Sequence, residues 1–152
     1  MNVENWPPAA KDNPFHVMGR IKGRMFQLVQ RRFEEADLEL GMEGFIILMR
    51  IHHNDGMDQT QLAESIGRDK PSVTRALDAL ENNGWLLRAV NPEDRRSHRL
   101  TLTEEGEDAL ERAMPMVRGI IAQIFDPIPD ADYEVFLSVL RTLRHQLDSL
   151  EA

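Results

Sequence analysis

Between Asp58 and Thr103 the chain is punctuated so densely that only short, tightly turned elements fit. Asp58 and Gln61 have the spacing of a capping box, in which the first side chain accepts a backbone N–H at a helix start and the second returns the bond. Gly67 breaks that helix just after Ile66. Asp69 caps another, and Pro71 is tolerated in its first turn because an N–H there would have no helical partner. Asn82, Asn83 and Gly84 end this second helix. Two short extended segments, 85–90 and 97–102, then flank the turn-rich Asn91, Pro92, Glu93 and Asp94, which reads as a hairpin.

The flanking segments are longer and helical. Residues 1–14 hold Pro7, Pro8 and Pro14 among polar neighbours, which predicts a flexible arm. Phe15, Met18, Ile21, Met25, Leu28, Val29 and Phe33 recur at helical spacing, predicting one amphipathic helix over 15–41. Phe45, Ile46, Leu48, Met49 and Ile51 are apolar nearly all round, as in a central buried helix. After Thr103, a good N-cap, the acids Glu104, Glu105, Glu107 and Asp108 sit where a helix dipole favours them. Pro115 is expected to kink that helix, and Asp126, Pro127 and Pro129 to end it. Phe136, Leu140, Leu143, Leu147 and Leu150 then alternate by fours and threes, the seam of a coiled-coil-like contact within the chain or with a second chain.

A short capped helix, a tight turn, a second helix and a hairpin follow the order of a winged helix-turn-helix. The expected fold is mainly α with a small β-hairpin wing, that core spanning 42–103. In such a unit the first helix braces the second, whose N-terminal residues reach base edges in the major groove. With Val73, Ala76, Leu77 and Leu80 turned inward, the outer face presents Lys70, Pro71, Ser72, Thr74 and Arg75. The hairpin tip adds Arg95 and Arg96, with Asp94 placed to orient one of them, a pair suited to phosphates or a narrow minor groove. The net charge of −8 argues against a nucleic-acid binder, but its distribution does not. From Arg68 to Arg99 seven basic and five acidic residues make a local +2, leaving −10 for the rest.

These residues carry a family resemblance. NPEDRRSHRLTLTEEG, beginning at Asn91, fits the wing pattern of MarR-type regulators: Asp94, Arg96, five residues, then Leu102 and Thr103. QTQLAESIGRDKPSVTRALDALENNGWLLR, beginning at Gln59, resembles the same family's helix-turn-helix. The resemblance extends over about 15–150. It implies dimerisation helices at 15–41 and 104–152, Arg96 as a minor-groove arginine supported by Asp94, and Ser72, Thr74 and Arg75 facing the groove. It further implies a homodimer on a pseudo-palindromic DNA operator, and repression relieved by a small molecule, often an aromatic or phenolic acid. His16, Arg20, Arg24 and Met49 are the candidate effector-pocket residues. The alternative is a winged-helix module used for protein contact without ligand control. Ile46, following the aromatic Phe45, disfavours urate as the effector.

Other chemistries find little support. There is no cysteine, so thiolate metal cages and thiol redox sensing are excluded. His52 and His53, near Asp55 and Asp58, invite a metal, but adjacent helical side chains point about 100° apart and no site is expected. No nucleophile-base arrangement or phosphate-binding glycine loop is present, so neither an enzyme nor a cofactor is expected. No apolar run reaches the ~20 residues of a membrane span and no secretory signal is recognisable, which makes the cytoplasm the expected location.

Overall fold

The computed structural model describes residues 13–91 and 98–151. In chain order these form α1 (Pro14–Glu35), α2 (Met42–His53), α3 (Gln59–Ile66), α4 (Lys70–Asn82), β1 (Leu86–Val90), β2 (His98–Leu102), α5 (Glu104–Phe125) and α6 (Asp130–Glu151). The fold is mainly helical with one antiparallel hairpin, as the sequence predicts. The chain divides into two compact units at Met116/Val117, just past Pro115, which α5 accommodates without interruption.

The helix ends are set locally. Asn13 caps α1 by accepting from the Phe15 and His16 amides. α3, α4 and α1 all close with the same pair of backbone bonds, one spanning five residues and one spanning three. In α3 they are Arg68 N–H to Ala63 C=O and Gly67 N–H to Glu64 C=O. In α4 they are Trp85 N–H to Leu80 C=O and Gly84 N–H to Glu81 C=O. Gly67 and Gly84 occupy the left-handed positions, at φ of 64° and 75°.

α1 stops at Glu35, six residues before the end read from its periodicity. Its closing bonds are Leu38 N–H to Phe33 C=O and Asp37 N–H to Glu34 C=O, with Asp37 itself at φ 48°. An aspartate tolerates that conformation better than most residues, but it gives no glycine signal. Phe33 and Leu38, both buried, sit at the two ends of the longer bond and anchor the turn.

The core of the first unit gathers Phe33 from α1, Ile47, Leu48 and Ile51 from α2, Leu62 from α3, Leu77 from α4, Leu86 from β1 and Leu100 from β2. Each such side chain removed from water contributes roughly 1.5–3 kcal/mol. Phe33 and Phe45 meet as tilted rings 6.0 Å apart, joining α1 to α2. The hairpin pairs Leu86 with Leu102 through Val90 with His98. A third edge strengthens it: Gly56 N–H donates to Leu100 C=O, and Leu100 N–H to Met57 C=O. The turn before α3 is thereby tied to the wing.

Candidate nucleic-acid interface

The bracing helix α3 begins at the predicted capping box. Asp58 accepts from the Thr60 and Gln61 amides at 2.7 and 2.9 Å, and its own N–H donates to Gln61 Oε1 at 2.9 Å. Two residues beyond Gly67, Asp69 starts α4. Its carboxylate accepts from the Ser72 amide at 2.9 Å and from the Ser72 hydroxyl at 2.8 Å. Arg75 Nη2 in turn donates to Ser72 Oγ at 3.1 Å. The Ser72 amide first, its hydroxyl second and the Arg75 charge last hold the Asp69 carboxyl below the ordinary carboxylate range.

On α4, Val73, Leu77 and Leu80 are buried as expected, and Ala76 is half-buried. Lys70, Pro71 and Arg75 are exposed on the opposite side, with Ser72 half-buried between them. Thr74 is committed inward. Its hydroxyl accepts from Gln59 Nε2 at 2.6 Å and donates to Lys70 C=O at 2.9 Å. The exposed set at the start of α4 is thus two cations and a proline around a helix N-terminus, an arrangement that suits a phosphate or a base edge.

Arg88 lies behind this face. From β1 its Nη2 reaches Asp78 Oδ1 at 2.6 Å and Thr74 C=O at 3.4 Å, and its Nη1 lies 3.6 Å from Glu81 Oε2. Neither Arg88 nor Gln59 is assigned a role by the sequence pattern. The available signal was the charge at Arg88, two residues from the buried Leu86 on one strand face. On the wing, Arg99 Nε donates to Asn91 Oδ1 at 3.1 Å. The tip residues Asp94, Arg95 and Arg96 lie outside the described residues.

The four effector candidates lie on two helices. His16, Arg20 and Arg24 are exposed along α1, and Met49 is half-buried on α2. A cleft of about 100 Å³ between α1, α2 and the end of α3 is lined instead by Lys22, Phe26, Glu43, Ile46, Ile66 and Arg68. The Lys22 ammonium stands 5.5 Å from the centre of the Phe26 ring, and Arg68 Nη2 lies 3.7 Å from Glu43 Oε1. The adjacent histidines turn to different partners: His52 Nδ1 lies 2.8 Å from Glu107 Oε2, and His53 Nδ1 lies 2.9 Å from Met49 C=O.

A braced, N-capped helix with exposed cations, followed by a hairpin, has the architecture of a winged helix-turn-helix, the class of fold in which the second helix is the one offered to a DNA groove. Residues 40–98 match the model of the MarR family. Among solved structures it is similar to the transcriptional repressor CouR bound to a 23-mer DNA duplex, at 29% identity and TM-score 0.79, covering 88% of this chain and 94% of that one. It also shares its fold with MepR of S. aureus in a DNA complex, at 20% identity and TM-score 0.81, covering 91% and 99% of the two chains. A third likeness is CouR from Rhodococcus jostii RHA1 bound to p-coumaroyl-CoA, at 24% identity and TM-score 0.78, covering 89% and 94%. No helix among the described residues is long and apolar enough to cross a membrane.

Proposed function

We propose that the chain is a dimeric repressor that reads a pseudo-palindromic operator and is released by a small anionic aromatic effector. The observation that carries the DNA half is the exposed Lys70, Pro71 and Arg75 at the capped start of α4, with Arg75 held by Ser72. Lys70 supplies a phosphate contact and Arg75 a guanine-edge contact, in the bidentate geometry worth about 1–3 kcal/mol of discrimination. Arg95 and Arg96 at the wing tip add the minor-groove contact, with Asp94 as their support. The solved likeness of a repressor on a DNA duplex supports this assignment.

The cleft beside α1 favours an effector with a flat apolar body and a negative charge. Phe26, Ile46 and Ile66 supply the apolar wall, and two cations, Lys22 and Arg68, outnumber the one carboxylate, Glu43, that lines it with them. A related structure holding p-coumaroyl-CoA makes that thioester a suitable probe beside simple aromatic acids.

The deciding experiment selects duplexes from a random pool with the wild-type protein and measures mobility shift against salt. The reading expects a two-fold-symmetric consensus, and loss of selection in the Arg75→Ala and Arg96→Ala double variant. Unchanged affinity in that variant would remove the proposed reading head. For the effector, Lys22→Ala and Arg68→Ala are expected to abolish release of DNA by an aromatic acid active on the wild type, while DNA affinity without ligand is kept.

A further inference from the structure

The Arg88 side chain is only 20% exposed, whereas the paired Arg32 and Arg68 side chains are about half exposed. All its α4 partners, Thr74, Asp78 and Glu81, lie along one face of the helix at spacings of four and three. Its Nε is buried with no hydrogen-bond partner. A pair whose carboxylates are 51% and 41% exposed, and whose arginine keeps a buried N–H unsatisfied, is a poor device for stability alone. It is a good device for orientation. A planar fork on β1 that engages a carboxylate and a backbone carbonyl of α4 at once permits a narrow range of rotations of that helix.

We infer that Arg88 is a positioning residue for DNA reading: it sets the rotation of α4 against the hairpin, so that Arg75 and the wing meet one site in register, without itself touching DNA. The inference rests on the DNA-reading function proposed above. Thr74 is held from both neighbours, by Gln59 of α3 and by Arg88 of β1, so the start of α4 is fixed at the residue next to Arg75.

The inference separates from simple electrostatics by sign. Asp78→Asn removes a negative charge from α4, which by charge alone tightens binding to every duplex. A positioning role predicts instead that binding to the selected duplex weakens about tenfold, the order expected for one charge-assisted bond. Binding to a scrambled duplex stays the same or tightens. Arg88→Lys keeps the charge but loses the fork, and is expected to lower the selected-to-scrambled ratio in the same way.

Both variants and the wild type are measured below their unfolding midpoints, across a salt series, with the duplex recovered from the random pool and a scrambled duplex of equal length. A lowered ratio with an unchanged salt slope supports the inference. An unchanged ratio in both variants overturns it, leaving Arg88 a structural contact. A slope smaller by about 0.9 in a third variant, Arg88→Gln, which removes the charge, also overturns it, since that is the signature of a lost phosphate contact. Failure of the wild type to select any duplex defeats the DNA-reading function itself.

Discussion

Asp69 joins the folding of α4 to the placement of Arg75 in one side chain. It satisfies an orphan amide of α4 and orders the Ser72 hydroxyl that accepts from Arg75. Its carboxyl is held below the ordinary range by those bonds, so the native state takes up its proton at lower pH than the unfolded chain does. The sign follows: the contribution to stability is fully present above roughly pH 4 and is lost as pH falls through the depressed value. Asp69→Asn keeps an acceptor and loses the charge. Urea unfolding of both proteins between about pH 2 and 6 is expected to show a stability gap that closes on acidification. A gap independent of pH would assign the cap entirely to geometry. Asp69→Ala is expected to lower the urea midpoint further and to weaken selected-duplex binding, because Arg75 loses its indirect support.

Among elements, α4, the hairpin and α5 meet at close quarters. Thr103 donates its hydroxyl to Gly84 C=O at 2.6 Å and accepts the Gly106 amide at 3.0 Å, so one side chain ends the turn after α4 and caps α5. A Cβ on Gly106 would fall 2.1 Å from the Trp85 carbonyl oxygen, a backbone atom that cannot move without shifting the base of β1. Gly106→Ala is therefore expected to cost at least about 1–3 kcal/mol, read as a lower urea midpoint with an unchanged slope. Gly44→Ala, which meets only the ends of the Leu40 and Leu80 side chains, is expected to cost less.

The same contrast explains what the sequence makes legible. Capping boxes, glycine stops and the hairpin are encoded within a few residues, and α3, α4 and the two strands fall within one residue of their expected places. The early end of α1 was hidden because Asp37 replaces the usual glycine. The Met57 to Leu100 pairing and the Arg88 clamp depend on residues far apart in the chain, and so does the cleft with Lys22, Ile46 and Arg68. No periodicity records such meetings. Thr74 shows the limit most directly, since helical spacing assigns it to the outer face while its bond to Gln59, which turns it inward, leaves no trace in the sequence pattern.

At the scale of the whole molecule, apolar surface remains that the described chain does not cover. Along α6, Phe136, Leu143, Leu147 and Leu150 of the predicted seam are exposed, Leu147 at 59%, and Leu140 is half-buried. Phe15, Met18 and Ile21 on α1 are exposed as well. A helix with a heptad-like stripe left in water is stabilised by a second helix of matching pattern, and a second copy supplies one by symmetry. Leu143→Glu with Leu147→Glu places two carboxylates on that stripe and two more on its symmetry mate. Sedimentation is expected to give one-chain mass for the variant and two-chain mass for the wild type. Helical content should be kept, because both substituted positions are exposed in the single chain. DNA binding then tests what the proposed dimer contributes. Two linked recognition helices address major grooves about 34–36 Å apart, and the second binds at the high effective concentration set by the first. The monomeric variant is expected to bind the full site no more tightly than a half-site, whereas the wild type prefers the full site by orders of magnitude. A monomer that retained that preference would place the source of operator affinity within one chain, in α4 and its wing.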